Sequence, residues 1–197
     1  MNPNRDIILR LAGLTMIGMP MVAAIIDWFS DAFVLSERLT QGFSVAAQFL
    51  VGVVAGLIIG VAAQWIVNRS FMHEVSVKYN GLIGELKLGR SEIIFISICA
   101  GVGEEILFRG ALQPLIMQWI GNHQGIWVTA AVFVAIHGYL NPKDWKISVY
   151  GVFMTAAIAG LGYLAEFMGI WTAIVAHTVV DYYLLDQVIS EEDEAVS

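Results

Sequence analysis

The sequence predicts an all-α polytopic membrane protein, a bundle of about six transmembrane helices. Hydrophobic residues make up 58% of the 197 residues and charged residues only 14%, and the mean hydropathy is +0.73. A chain of this composition has too little polar surface to coat a water-soluble globule. Its length fits about six spans of roughly 20 residues joined by short loops. We therefore predict one membrane-embedded domain over residues 1–190.

Two apolar stretches near the start of the chain predict the first two spans, near residues 7–29 and 43–67. Each is nearly free of charge and long enough to cross about 30 Å of hydrocarbon. The first stretch follows Arg5 and Arg10 and could instead be a signal peptide, because small residues follow its apolar part. We favour a span because the charges of the loops fit a topology that retains it.

The polar segment at residues 68–90 is too rich in charge to span the membrane. It contains the turn signal Asn80-Gly81 and predicts a short interfacial element near residues 75–88. Four further apolar runs predict spans three to six, near residues 92–119, 125–139, 147–164 and 167–185. The stretch Asn141-Pro142-Lys143-Asp144 ends span four, because proline disfavours a helical residue before it and charged residues favour water.

The glycines of span five would let neighbouring helices approach closely. After span six, residues 191–197 include the acidic run Glu191-Glu192-Asp193-Glu194 and predict a solvated, disordered tail.

Basic residues should accumulate on the cytoplasmic side of a membrane protein. With six spans and a cytoplasmic N-terminus, the opposite side holds only Arg38, and Arg109 lies inside span three. The cytoplasmic side then holds the rest: Arg5, Arg10, Arg69, Lys78, Lys87, Arg90, Lys143 and Lys146. This predicts a plasma (inner) membrane protein with both termini in the cytoplasm.

The overall charge and the cysteine content exclude three further features. The formal net charge of −7 leaves no basic surface for nucleic acid. The single cysteine, Cys99, excludes an intrachain disulfide and a cysteine-rich metal site. The predicted partners are the lipid bilayer and a membrane-associated protein or peptide.

Three ionisable residues, Glu104, Glu105 and Arg109, interrupt the apolar run of span three. A charged side chain at mid-bilayer costs roughly 2.5–3.5 kcal/mol even on insertion scales, so such residues indicate a functional site. Glu105 and Arg109 are four residues apart and share a helix face, so we expect a supporting ion pair. Glu104 lies about 100° round the helix and stays free to act as a general base.

Two other predicted spans carry polar residues at a similar depth. Glu104 and His137 each lie about 18 Å from the start of their spans, and His177 about 15 Å, at about 1.5 Å per residue. Asp181 follows His177 by four residues and shares its helix face. These four side chains could activate a water molecule and stabilise an oxyanion, or they could bind a metal such as zinc.

Three short motifs, each on a separate predicted span, carry a family resemblance: Glu104-Glu105-x-x-x-Arg109, Phe133-x-x-x-His137 and His177-x-x-x-Asp181. In this order they resemble the motifs of the CPBP intramembrane endopeptidases, or Abi family, which include the type II CAAX prenyl proteases. The resemblance covers about residues 92–185.

The resemblance implies a role for each polar residue. In that family the first glutamate and the first histidine are understood to activate water for attack on a peptide carbonyl, roles that fall here to Glu104 and His137. The second histidine and the residue four positions later stabilise the oxyanion or orient the site, here His177 and Asp181. The prenyl proteases most similar in these motifs have asparagine at the last position. An ionised Asp181 would repel an oxyanion, so it is either protonated or orients His177.

The resemblance favours a glutamate-type mechanism with no cofactor, although Glu, His and Asp are also competent zinc ligands. Two other functions fit the same residues. A non-catalytic scaffold or immunity protein of the family would bind a partner in the same cavity and would tolerate loss of Glu104. A proton-coupled transporter would also use buried carboxylates and histidines, but it predicts repeated halves, which the sequence lacks. The sequence thus predicts an intramembrane endopeptidase whose substrate is a prenylated C-terminus, a leader peptide or a sorting tail.

Overall fold

The computed structural model describes residues 3–30, 35–139 and 143–196, and in these parts of the chain the regular structure is entirely helical. This confirms the predicted all-α membrane helix bundle. A 3₁₀ turn at Ser70–Met72 and a π-helical turn at Ile106–Leu112 supplement the main helices. These are α1 (Pro3–Phe29), α2 (Leu35–Thr40), α3 (Val45–Val67), α4 (His73–Gly84), α5 (Arg90–Glu105), α6 (Gln113–Ile120), α7 (Asn122–Ile136), α8 (Trp145–Met168) and α9 (Ile170–Val196).

Three helices of the described chain, α1, α3 and α8, are long and apolar enough to cross a membrane by length and composition. They correspond to predicted spans one, two and five. Predicted span three consists of α5, the π-helical turn and α6, which follow one another without a break. Span four is the 15-residue α7, and span six is the first part of α9. The count of six spans and the cytoplasmic placement of both termini stay predictions.

Two local features differ from the sequence prediction, and a third falls outside the described residues. The short helix α2 lies in a segment predicted as a loop, part of which, residues 31–34, lies outside the described residues. The predicted end of span four at residues 140–142 also lies outside them. The backbone of residues 191–196 continues α9 where a disordered tail was predicted. Residues 186–196 contain no glycine or proline to end the helix, and glutamate and alanine favour its continuation.

Two glycines with positive φ separate consecutive helices. Gly121, at φ +89, stands between α6 and α7, and Gly169, at φ +120, stands between α8 and α9. L-amino acids with a side chain rarely adopt these backbone angles. Each glycine therefore lets the chain reverse within one residue, and the helices on either side pack against each other.

Helix α9 lies at the centre of the bundle, between α3 and α5, and α1 packs on the outside of α5. Glycines of α3 make the approach of α9 possible. A Cβ atom at Gly52 would lie 2.8 Å from the Thr172 carbonyl oxygen, and one at Gly56 would lie 2.6 Å from that of Ala176. Small residues at a helix interface permit this close backbone contact. The interface fixes the position of the histidine and aspartate on α9.

A buried apolar cluster joins the π-helical turn to α7 and α8. Phe108 and Phe133 meet edge to face with their ring centroids 4.9 Å apart, and Val134, Ile158 and Leu161 fill the space around them. All five are nearly inaccessible to solvent. Such close packing resists displacement, so the cluster gives the polar residues beside it a rigid base.

Candidate active site

The two glutamates of the first motif are the last residues of α5, directly before the π-helical turn. Glu104 and Glu105 therefore lie where the backbone changes its hydrogen-bonding pattern. π-Helical turns are rare and occur frequently at functional sites. The side chains of Glu104 and Glu105 leave this point of the helix in different directions and have different surroundings.

Glu105 forms a buried ion pair with Arg109, which confirms the predicted pairing. Arg109 Nε lies 3.1 Å from Glu105 Oε2, and the two side chains are 1% and 0% exposed. Arg109 Nη2 also donates a hydrogen bond to the Ile158 carbonyl at 2.9 Å, and its guanidinium lies 5.4 Å from the Phe133 ring centroid. These contacts tie the π-helical turn to α8 and α7.

His177 is held by Glu105 through its Nδ1 atom, which lies 2.8 Å from Glu105 Oε1. An ionised carboxylate can only accept hydrogen bonds, so Nδ1 carries a proton and donates it. The other ring nitrogen, Nε2, faces Glu104 Oε2 at 3.8 Å and Asp181 Oδ2 at 3.5 Å. Glu105 thus fixes both the tautomer and the orientation of the ring.

His137 is fixed by the end of α7, where it is the C-cap residue. Its Nδ1 lies 2.7 Å from the Phe133 carbonyl oxygen, which can only accept, so Nδ1 donates. The imidazole stacks on the Phe133 ring with centroids 4.2 Å apart. In the neutral ring, Nε2 is then an acceptor, and it lies 3.4 Å from Glu104 Oε2. Two acceptors at this separation can bind the same water molecule.

The open side of Glu104 is a cavity of about 440 Å³. Its lining comes from α3, α4, α8 and α9 and is mostly apolar. Polar groups gather at the end where Glu104, His137, His177 and Asp181 lie. Within the described part of the chain, no group of three or more His, Cys, Asp or Glu side chains is arranged to hold a metal ion. A reaction without a cofactor stays a prediction.

Comparison with known protein families identifies the segment that carries this site. Residues 88–183 match the model of a family described as type II CAAX prenyl endopeptidase Rce1-like. Over this segment, slightly less than half of the chain, the protein is similar to the Rce1-like family. All three motifs lie within the match, and its bounds differ little from the predicted 92–185. The family resemblance predicted from the motifs is confirmed over this segment.

One curated relative adds a more distant comparison. The uncharacterized protein YpbD of Bacillus subtilis (strain 168) is 32% identical over 91 residues, which cover 45% of this chain and 41% of that protein. The similarity therefore spans less than half of either chain. No solved structure gives a significant match.

The Rce1-like segment brings all six predicted site residues together. Four of them line the cavity, Glu104, His137, His177 and Asp181, and the other two, Glu105 and Arg109, form the supporting pair. The contact between Glu105 and His177 was not predicted, because it joins two helices that are 72 residues apart in sequence. No pattern within one helix indicates such a contact.

Sequence reasoning also missed two tyrosines in the lining of the cavity, Tyr139 and Tyr150. Tyr139 follows His137 by two residues, at the end of a predicted span where aromatic residues are common. That position alone does not distinguish a tyrosine of the site from one at the membrane interface. Helix α4 contributes a wall of the cavity, which the sequence did not predict either.

Proposed function

We propose that this Rce1-like protein is an intramembrane endopeptidase that hydrolyses a peptide bond in a membrane-associated protein or peptide. The observation that carries the proposal is the placement of Glu104. Its carboxylate lies 3.4 Å from His137 Nε2 and 3.8 Å from His177 Nε2 at the polar end of an apolar cavity. The neighbouring Glu105 forms the ion pair with Arg109, so this pair does not occupy Glu104.

The first step is the activation of water by Glu104 and His137. The carboxylate and the acceptor Nε2 bind one water molecule, and a proton passes from the water to Glu104. The water oxygen forms a bond to the carbonyl carbon of the substrate, and the carbonyl oxygen becomes an oxyanion. Positioned general bases of this kind typically contribute about 10²–10⁴-fold to the rate.

His177 stabilises the charge that develops on the substrate. Its Nδ1 proton is held by Glu105, so a second proton on Nε2 makes the ring a cation facing the cavity. Asp181, 3.5 Å from Nε2, supports that cation and acts through His177, not on the oxyanion itself. When the intermediate collapses, the C–N bond breaks and the leaving nitrogen takes the proton from Glu104. The products are a new carboxylate and a free amine.

The reaction in this proposal requires no metal ion. We expect a zinc chelator to leave the cleavage rate unchanged. If the chelator abolished cleavage and added zinc restored it, the protein would instead be a metalloprotease.

The cavity supports an apolar substrate segment. Apart from the catalytic end, its walls are mostly aliphatic and aromatic side chains, and apolar pockets take apolar groups. A prenylated C-terminus, the apolar part of a leader peptide and a sorting tail all fit this description. With six spans and both termini in the cytoplasm of a plasma (inner) membrane, as we propose, α4 would cover the cavity from the cytoplasmic side.

The proposal is tested by mass spectrometry of terminal fragments from the membrane proteome. Cells carrying the wild type are compared with cells carrying Glu104→Gln, which removes the base but keeps the shape of the side chain. We expect a set of new protein termini in the wild type that is missing from the variant. The purified variant should keep the helical content and the thermal midpoint of the wild type.

The same variant separates the enzyme from a non-catalytic scaffold of the family. A scaffold binds its partner without activating water, so Glu104→Gln should complement a deletion strain fully. Identical sets of termini together with full complementation would overturn the endopeptidase proposal.

A further inference from the structure

Tyr139 lies beside the catalytic end of the cavity in a position that the end of α7 fixes. Its backbone N–H donates to the Val134 carbonyl at 3.2 Å, and that of Gly138, at φ +75, donates to the Ala135 carbonyl at 3.1 Å. This is the Schellman motif, in which His137 is the C-cap residue of α7. The backbone therefore holds Tyr139 and His137 in a constant relation.

The ring of Tyr139 makes aromatic contacts on two sides. It is nearly parallel to the His137 imidazole, with 8° between the planes and 6.2 Å between the centroids. Tyr150 of α8 meets it edge to face at 5.4 Å. Ring contacts of this kind restrict the orientation of the phenol.

The hydroxyl group of Tyr139 has no hydrogen-bond partner within the described ranges of the chain, although the residue lines the cavity. Tyr139 is half-buried, and tyrosine hydroxyls usually find a partner as they become buried. The contacts that hold the ring thus leave one donor available to a molecule in the cavity.

The carboxylates and imidazoles at this end of the cavity supply few hydrogen-bond donors for the oxyanion. Glu104 and an ionised Asp181 have only acceptor oxygens. The Nδ1 proton of His177 is engaged by Glu105, and that of His137 by the Phe133 carbonyl. Only the second proton of His177 would face the oxyanion, and Asp181 competes for it at 3.5 Å.

We propose that Tyr139 is a further catalytic residue, whose hydroxyl donates a hydrogen bond to the oxyanion of the tetrahedral intermediate. The inference rests on the proposed endopeptidase function. The phenol keeps its proton throughout, and no bond to it forms or breaks. Its contribution grows as the carbonyl oxygen gains charge, so it lowers the barrier more than it strengthens substrate binding.

The test is the Tyr139→Phe variant, which keeps the ring contacts and removes only the hydroxyl. The probe is a fluorescence-quenched peptide spanning a bond whose cleavage in cells depends on Glu104. We expect kcat to fall about 10²–10³-fold, as for other single oxyanion donors, with little change in KM. The thermal midpoint should stay that of the wild type.

The matched control is Tyr163→Phe, which removes a phenol hydroxyl on α8 outside the cavity lining. That hydroxyl lies 3.1 Å from His123 Nδ1 at the other end of the helix. Its variant should keep the kcat and KM of the wild type.

A second measurement separates catalysis from structure. A peptide phosphinate of the same sequence carries a charged oxygen in place of the oxyanion. Its inhibition constant should rise in Tyr139→Phe by about the same factor as kcat falls, because both report the transition state. A merely structural role would weaken substrate and phosphinate equally.

The outcomes distinguish this inference from the proposed function. A wild-type kcat in Tyr139→Phe, or an equal loss of substrate and phosphinate affinity, overturns the role of Tyr139 alone if Glu104→Gln is inactive. If no cleavage in cells depends on Glu104, the proposed function and this inference both fail.

Discussion

Two consecutive carboxylates, Glu104 and Glu105, lie on opposite sides of the site. The sealed side consists of Glu105, Arg109 and the Ile158 carbonyl, and its two side chains are at most 1% exposed. The cavity side begins at Glu104, whose side chain is 12% exposed and faces imidazole nitrogens. One sequence position thus separates a carboxylate that is neutralised by a cation from one that is open to a substrate.

His177 connects the two sides. Its Nδ1 atom contacts Glu105 on the sealed side, and its Nε2 atom faces Glu104 and Asp181 on the cavity side. The ion pair on the sealed side therefore orients the ring, while the proposed chemistry takes place on its cavity side. A change on the sealed side should therefore damage the fold, and a change on the cavity side should damage the reaction.

The largest effect on stability is expected from Arg109→Met, which leaves Glu105 buried without a cation. Breaking a buried pair by removing one partner costs about 3–5 kcal/mol, because the remaining charge is uncompensated. We expect the free energy of unfolding in detergent to fall by that amount. Chemical unfolding followed by circular dichroism measures it.

Glu104→Gln serves as the control from the cavity side. This substitution leaves the ion pair between Glu105 and Arg109 intact, so the free energy of unfolding should stay close to that of the wild type. Equal destabilisation by the two variants would show that the division into a sealed and a cavity side is mistaken.

The sealed side could be predicted from sequence because its main contact lies within one helical segment. Glu105 and Arg109 are four residues apart, and this spacing predicts the pair without any knowledge of the fold. The pair persists although the backbone between them is π-helical, a local change that composition does not indicate.

The cavity side was predicted as a set of residues but not as a geometry. Regular rise along each helix places Glu104, His137 and His177 at similar depths, which was enough to group them. Which imidazole nitrogen faces Glu104 depends on the partners of the other nitrogen. The Phe133 carbonyl is a local partner, but Glu105 reaches His177 only through the packing of α5 against α9. The role of α4 as a wall likewise depends on tertiary packing.

A smaller effect is expected from Gly56→Ala, which tests whether the position of α9 controls both sides together. The new methyl group would lie 2.6 Å from the Ala176 carbonyl oxygen, next to His177. Overpacking of this kind typically costs about 1–3 kcal/mol. The displaced α9 should also lower the cleavage rate, as measured with the quenched peptide.

Gly160→Ala is the matched control within a long apolar helix. A Cβ atom at Gly160 meets nothing within 4 Å among the described residues. Alanine favours helix by up to about 1 kcal/mol over glycine, so the variant should be as stable as the wild type or more stable. If both glycine variants lose stability equally, close approach of α3 and α9 is not the cause.

The smallest effect on stability is expected at α4, the helix that forms one wall of the cavity. Lys146 Nζ lies 2.6 Å from Glu74 Oε2, and this contact joins α4 to the start of α8 beside the stacked rings of Phe71 and Trp145. The hydrogen bond and the positive charge of Lys146 hold the pKa of Glu74 below its ordinary value. The contribution to stability is therefore present above the unfolded pKa of glutamate and is lost as pH falls through the lowered folded pKa.

We expect Lys146→Met to lower the thermal midpoint slightly at neutral pH and to equal the wild type in acid. High salt should reduce the difference, because the pair is exposed and screened. Glu74→Gln should lower the thermal midpoint at neutral pH by the same amount. The double variant should lower it no further than either single variant. A difference that persisted below the lowered pKa of Glu74 would mean that Lys146 stabilises the start of α8 through its aliphatic stem and not through the ion pair.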